Sequence, residues 1–135
     1  MGSVLTGDAA FIDGACRLRK MVGGGLRQVG IIAAAGLYAL QNNVDRLADD
    51  HALARELADG LSQLPGLRAR LPDTNIVFVD VDEAIAATLA AFLAEQGIGI
   101  TSSRGGKSQR WVTHMDVGGA SVKEALKCVG RFLSR

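Results

Sequence analysis

Cysteine is scarce: Cys16 and Cys128 are the two in 135 residues, each inside a helical-looking segment with no second thiol or histidine at metal-ligand spacing. That argues against a disulfide framework and a structural zinc, leaving two reduced, partly buried thiols. An excess of either charge is missing too. Fifteen basic residues oppose 14 acidic ones for a net charge of +1, so no global field draws the chain to nucleic acid or an anionic membrane. The opening MGSVLTGDAA lacks the basic-then-apolar order of a signal peptide. The longest apolar run, Val29 to Leu40, falls short of the roughly 20 residues that a membrane span needs. With 48% hydrophobic and 21% charged residues, the composition is that of a cytoplasmic globular protein with a core.

The usual catalytic signatures are absent as well. GGKS at Gly105 to Ser108 resembles the end of a phosphate-binding loop, but the glycine required five positions before Gly106 is Thr101. Gly23 to Gly25 lack the third glycine of a dinucleotide fingerprint, since Gln28 stands there. No G-x-S-x-G elbow occurs, and His51 and His114 are not spaced as metal ligands, so no metal site is expected.

What is present is a strong hydrophobic pattern. Ser3 to Thr6 read as a short buried strand with no upstream partner, so the beginning of the fold looks missing. Phe11, Ile12, Ala15 and Leu18 give an amphipathic helix from Ala9 to Lys20, stopped by the three glycines. GGGLRQVGIIAAAGLYAL, from Gly23 to Leu40, then joins a flexible turn and one arginine to a helix from Leu26 to Gln41 that is apolar nearly all round. Such a helix is buried on every side in a folded protein. Exposed, it would offer several hundred Å² of apolar surface, which predicts a homodimer or higher oligomer. Asn43 is the expected N-cap of the next helix, whose core face carries Val44, Leu47, Ala48, Ala54, Leu57, Ala58 and Leu61, with His51 alongside.

Beyond Pro65 the period changes from 3.6 to 2. Leu67 to Leu71 and Asn75 to Val81 read as strands, Asp82 caps a helix stopped by Gly97, and Ile98 to Thr101 and Arg110 to Thr113 are further strands. Ser121 and Glu124 have capping-box spacing, opening a last helix that buries Val122, Ala125, Leu126, Val129, Phe132 and Leu133. The expected class is α/β: residues 1–65 hold a residual strand and interface helices, and residues 66–135 form a small ββαββα domain whose sheet is covered by helices.

Two arginines stand out. Arg27 follows a glycine run, beside backbone N–H groups able to help hold a phosphate or carboxylate. Arg110 is a charge at the mouth of an otherwise apolar strand. The ordinary role of each is to solvate a surface; the special one is to bind an anion.

RLRKMVGGGLRQVGIIAAAGLYALQNNVDRLADDH from Arg17 to His51 resembles a segment of the low-specificity L-threonine aldolases, pyridoxal-phosphate (PLP) enzymes of fold type I. So do GSVLTG at Gly2 to Gly7, DTNIVFV at Asp73 to Val79 and RWVTHMDV at Arg110 to Val117. The resemblance implies cleavage of β-hydroxy-α-amino acids such as threonine to glycine and an aldehyde, on a cofactor held as a Schiff base by a lysine. It assigns Arg110 to the substrate α-carboxylate, which a bidentate fork suits better than a lysine does. It assigns Lys20 and Arg27 to the surroundings of the cofactor phosphate, offered across a subunit interface.

The same resemblance places the Schiff-base lysine just before GSVL. Lys20, Lys107, Lys123 and Lys127 do not match that position, so no catalytic residue is assigned. Two expectations follow: a C-terminal portion of an aldolase that is inactive and binds no cofactor without an N-terminal partner, or a non-catalytic interaction module on the same fold.

Overall fold

The computed structural model describes residues 3–103 and 105–135. Gly2 of the GSVLTG motif and Arg104 of the polar connection lie outside the described residues. The chain divides into two compact units, Met1–Asp45 and Arg46–Arg135.

The first unit holds two helices. In α1 (Ala9–Met21), the Asp8 carboxylate accepts from the Phe11 N–H at 2.8 Å, satisfying one orphan donor of the first turn. At its other end the Gly24 N–H donates to Arg19 O at 2.8 Å and the Gly23 N–H to Lys20 O at 3.2 Å. Gly23 has φ +80, the left-handed conformation that this helix-ending motif requires.

The second helix, α2, spans Gly30–Asn42 and starts four residues later than the apolar pattern predicts. Gln28 takes φ 48 and Leu26 bonds back to Gly24 O, so the chain turns before it coils. Asn43 is the C-cap of α2, not the N-cap of the next helix. Ser3 to Thr6 form no strand; among the described residues nothing pairs with them, and Val4 and Leu5 are exposed. Neither α1 nor α2 buries a single residue within this unit, and Cys16 is exposed, contrary to its expected partial burial.

The second unit has its own core. Its elements are α3 (Leu47–Ser62), β1 (Leu67–Ala69), β2 (Ile76–Val81), α4 (Glu83–Glu95), β3 (Thr101–Ser102), β4 (Ser108–Val112) and α5 (Gly119–Leu133). From β1 onward that is the expected ββαββα order. The strands form one antiparallel sheet in the order β1-β2-β4-β3, with Phe78 opposite Arg110 and Leu67 opposite Val81. Val77, Val79, Val81, Gln109 and Trp111 alternate inward and are buried. They pack with Leu57 and Leu61 of α3, Leu89 and Leu93 of α4, and Val122 and Val129 of α5, so the helices cover one face and leave the other open.

Three local expectations are corrected here. Val44, Leu47 and Ala48 are exposed; the α3 core face runs through Asp50, Ala54, Leu57, Ala58 and Leu61. The capping box is not formed, because α5 begins at Gly119 with Gly118 as its cap, whose carbonyl accepts from Ser121 and Val122. The strand expected from Ile98 shrinks to Thr101–Ser102.

Gly106, in the turn before β4, is buried at φ +76, and a Cβ there would run into the Ala86 carbonyl of α4. Gly106→Ala is therefore expected to lower stability by about 2–3 kcal/mol, read as a lower midpoint in urea. An unchanged midpoint would mean that the turn can move off α4.

Candidate functional site

Arg110 lies in the middle of β4. Strand alternation turns Gln109 and Trp111 into the core and Arg110 to the open face. Register sets Phe78 of β2 on one side of it and Thr101 of β3 on the other. Ile76 and Val112 face each other one row along, and Asp80 faces Ser108 and Arg68 on the row at the opposite side. Asp80 is paired with Arg70 at 3.2 Å. Among the described residues Arg110 makes no ion pair and no side-chain hydrogen bond, so its guanidinium fork is available to an external anion beside the ring of Phe78, itself 45% exposed.

What fixes this strand is a polar junction that the sequence pattern did not reveal. The fully buried Thr113 donates through Oγ1 to Asp50 O at 2.7 Å, and its backbone N–H donates to Asn75 O at 3.0 Å. The Asn75 amide donates to Thr113 O at 2.6 Å. The carboxylate of Asp50, a residue only 2% exposed, accepts both forks of Arg46 at 2.7 and 3.0 Å. That hydrogen-bonded pair raises the Arg46 guanidinium above its ordinary pKa, against the opposing effect of desolvation. Segments of three resembling motifs thus meet at Thr113. An i,i+4 spacing from Arg46 to Asp50 was the available signal, but nothing local distinguishes a buried carboxylate from a solvated one.

Lys20 and Arg27 belong to the first unit. Lys20 closes the last turn of α1, where a cation suits the helix dipole, and its stem runs beside Gly25. Arg27 is exposed in the bend before α2, three residues ahead of the helix rather than on its first turn. Val29 caps α2 without a side-chain hydrogen bond. The structure therefore puts Lys20 and Arg27 in one unit and Arg110 in the other.

All four lysines are exposed, and Lys107 pairs with Glu83 at 2.8 Å, drawing that carboxyl below its ordinary pKa. A lysine that forms a Schiff base is ordinarily desolvated or crowded by another cation. These positions provide neither, so the described residues do not by themselves fit PLP, although Arg110 fits a carboxylate. His114 is exposed with its Nδ1 accepting from the Asp116 N–H at 3.3 Å, and His51 is half-buried. Among the described residues no group of His, Cys, Asp and Glu could hold a metal, and no helix is long and apolar enough to cross a membrane.

Comparison with known proteins adds to this geometry. The profile of the beta-eliminating lyase family matches residues 1–84. The low specificity L-threonine aldolase of Escherichia coli strain K12 is 42% identical over 135 residues, which is 100% of this chain and 39% of that protein. Low-specificity L-threonine aldolase 1 of Arabidopsis thaliana is 39% identical over 134 residues, covering 95% of this chain and 37% of the relative. The chain thus spans about two fifths of these relatives.

Among solved structures, a NIFS-like protein superposes with TM-score 0.64 and 22% identity over 82% of this chain and 35% of its own. A C-DES mutant with glycine covalently linked to its PLP cofactor gives TM-score 0.61 and 21% identity, covering 77% of this chain and 28% of that one. These two likenesses establish the fold, that of PLP fold-type-I enzymes.

Proposed function

We propose that this chain, which belongs to the beta-eliminating lyase family, corresponds to the C-terminal portion of a PLP-dependent threonine aldolase, supplying the substrate-carboxylate arginine to a site whose cofactor-bearing half lies outside these 135 residues. The observation that carries this reading is the unpaired Arg110, held in register between Phe78 and Thr101 on the uncovered sheet face. The reaction splits a β-hydroxy-α-amino acid, threonine or allo-threonine, into glycine and an aldehyde. When bound, PLP supplies the electron sink for that cleavage. Arg110 grips the α-carboxylate and so fixes which bond of Cα lies in reach of the chemistry. Lys20 and Arg27 hold the cofactor phosphate from across an interface.

Mixing tests the proposal. The chain with PLP and threonine releases no aldehyde, and adding a polypeptide carrying the N-terminal two thirds of an aldolase restores release. Aldehyde formation by this chain alone, or none after mixing with a partner shown to bind it, would overturn the reading. In the restored enzyme, Arg110→Ala is expected to lower kcat/KM for threonine about a hundredfold, with Arg110→Lys recovering only part of the loss.

A second reading rests on the self-contained core of Arg46–Arg135: a non-catalytic interaction module on the same fold. Binding of the N-terminal polypeptide without restored activity favours it.

A further inference from the structure

The strand expected from Ile98 pairs only at Thr101–Ser102, and a cavity of about 200 Å³ borders the residues that fail to pair. Leu57, Ile98, Trp111, Val117, Val122 and Ala125 make most of its wall apolar. The backbone of β4 adds a polar feature. The Val81 N–H donates to Lys107 O and the Thr113 N–H to Asn75 O, so the odd-numbered residues from 107 to 113 bond toward β2. The even-numbered ones bond toward β3, as Ser108 does when its carbonyl accepts from the Ser103 N–H. The N–H and C=O of Val112 therefore point toward Gly99, which would be their partner if the register of Thr101 and Arg110 continued. Among the described residues no backbone hydrogen bond joins Gly99 to Val112, and both residues line the cavity.

Two other polar groups on the wall are already committed. The Trp111 indole N–H donates to Gln109 Oε1 at 3.2 Å, and the Thr113 hydroxyl donates to Asp50 O at 2.7 Å. That leaves a donor and an acceptor side by side on Val112. Their complement is a planar amide whose N–H and C=O lie on the same side, as in a primary carboxamide or a lactam; a trans peptide presents them on opposite sides. Volume sets the rest, since an apolar cavity of about 150 Å³ holds one benzene ring. There is room for a ring with a carboxamide and little more.

We infer that this cavity binds a small planar carboxamide, with its ring against Trp111 and its amide in a two-way hydrogen bond with the Val112 backbone. Arg110 projects from the other face of β4. The site is thus separate from the one proposed for the substrate carboxylate, and its occupancy is measured without activity.

Titration of the full, isotope-labelled chain with benzamide, followed in its amide and indole N–H spectrum, tests this. The Val112 amide and Trp111 indole resonances move together with a Kd of about 0.1–1 mM, while those of α1 and α2 stay in place. Toluene keeps the ring without the amide, and N,N-dimethylbenzamide keeps the carbonyl without the N–H; each binds at least about tenfold more weakly. Ala125→Leu fills the space from α5 and removes binding, with circular dichroism showing that the domain still folds. Should that variant unfold, the three ligands on the unaltered chain decide the matter. No shift up to about 10 mM benzamide overturns the inference. So do equal affinities for the three ligands, shifts confined to other resonances, or binding that survives in folded Ala125→Leu.

Discussion

A polypeptide spanning residues 46–135 is expected to unfold in one cooperative transition, whereas one spanning residues 1–45 shows none at submicromolar concentration. Among the described residues, every buried apolar side chain, from Ala54 to Val129, lies in the second unit, and 14 of the 18 large apolar side chains left exposed lie before residue 46. With no apolar side chain of that segment fully buried, little offsets the conformational entropy of ordering it, about 1–2 kcal/mol per residue. Its two helices have 13 residues each, a length at which isolated helices are marginal in water. Capping by Asp8 helps α1 by only about 1 kcal/mol. Hydrogen exchange would therefore find protection near the global value in α3, β2 and β4 and almost none in α1 and α2. Strong protection in residues 1–45 of a monomeric chain would show that this segment is covered from within the molecule.

Leu61→Ala is expected to destabilise the second unit by about 3–5 kcal/mol, as a buried leucine truncated without collapse of its surroundings does. Leu61 is fully buried on α3, the helix that packs on β1, β2 and α5 together. A unit of this size has a total stability of about 5–13 kcal/mol, so this substitution removes about a quarter of it or more. Denaturation in urea gives the shift, with the slope m expected to stay constant. A loss below about 1 kcal/mol would mean that α3 and α5 close over the gap.

The ββαββα succession was legible because alternation and helical spacing report burial directly, and Val77, Val79, Val122 and Val129 sit where those periods put them. Cap identities were less so. Ser121 and Glu124 have the right spacing, yet Gly118 supplies the cap carbonyl earlier in the chain, and a pattern of side chains cannot see a backbone acceptor. Ser3 to Thr6 have strand composition, but a strand exists only through its neighbour, which lies far away in sequence or in another chain. The same holds for the site. Arg110 could be singled out as a lone charge beside apolar residues, although β4 begins at Ser108 and so sets it mid-strand and not at the mouth as expected, whereas its neighbours Phe78 and Thr101 depend on register across β2 and β3. Thr113, Asn75 and Asp50 meet across separations of 38 and 63 residues, a distance that no local period spans.

The lone tryptophan and the lone tyrosine fall in different units, and this gives the protein two optical reporters. Trp111 is 4% exposed and donates its indole N–H to Gln109 Oε1 at 3.2 Å, while Tyr38 lies on the open surface of α2. Excited selectively, the indole should emit at the short wavelength of a dry environment and shift to the red only when the sheet comes apart. Phenol emission should follow events on the Tyr38 side of α2 instead, changing when that side of the helix is covered while the tryptophan signal stays constant. A single sample can thus distinguish the covering of that side from unfolding of the sheet by colour, without any label.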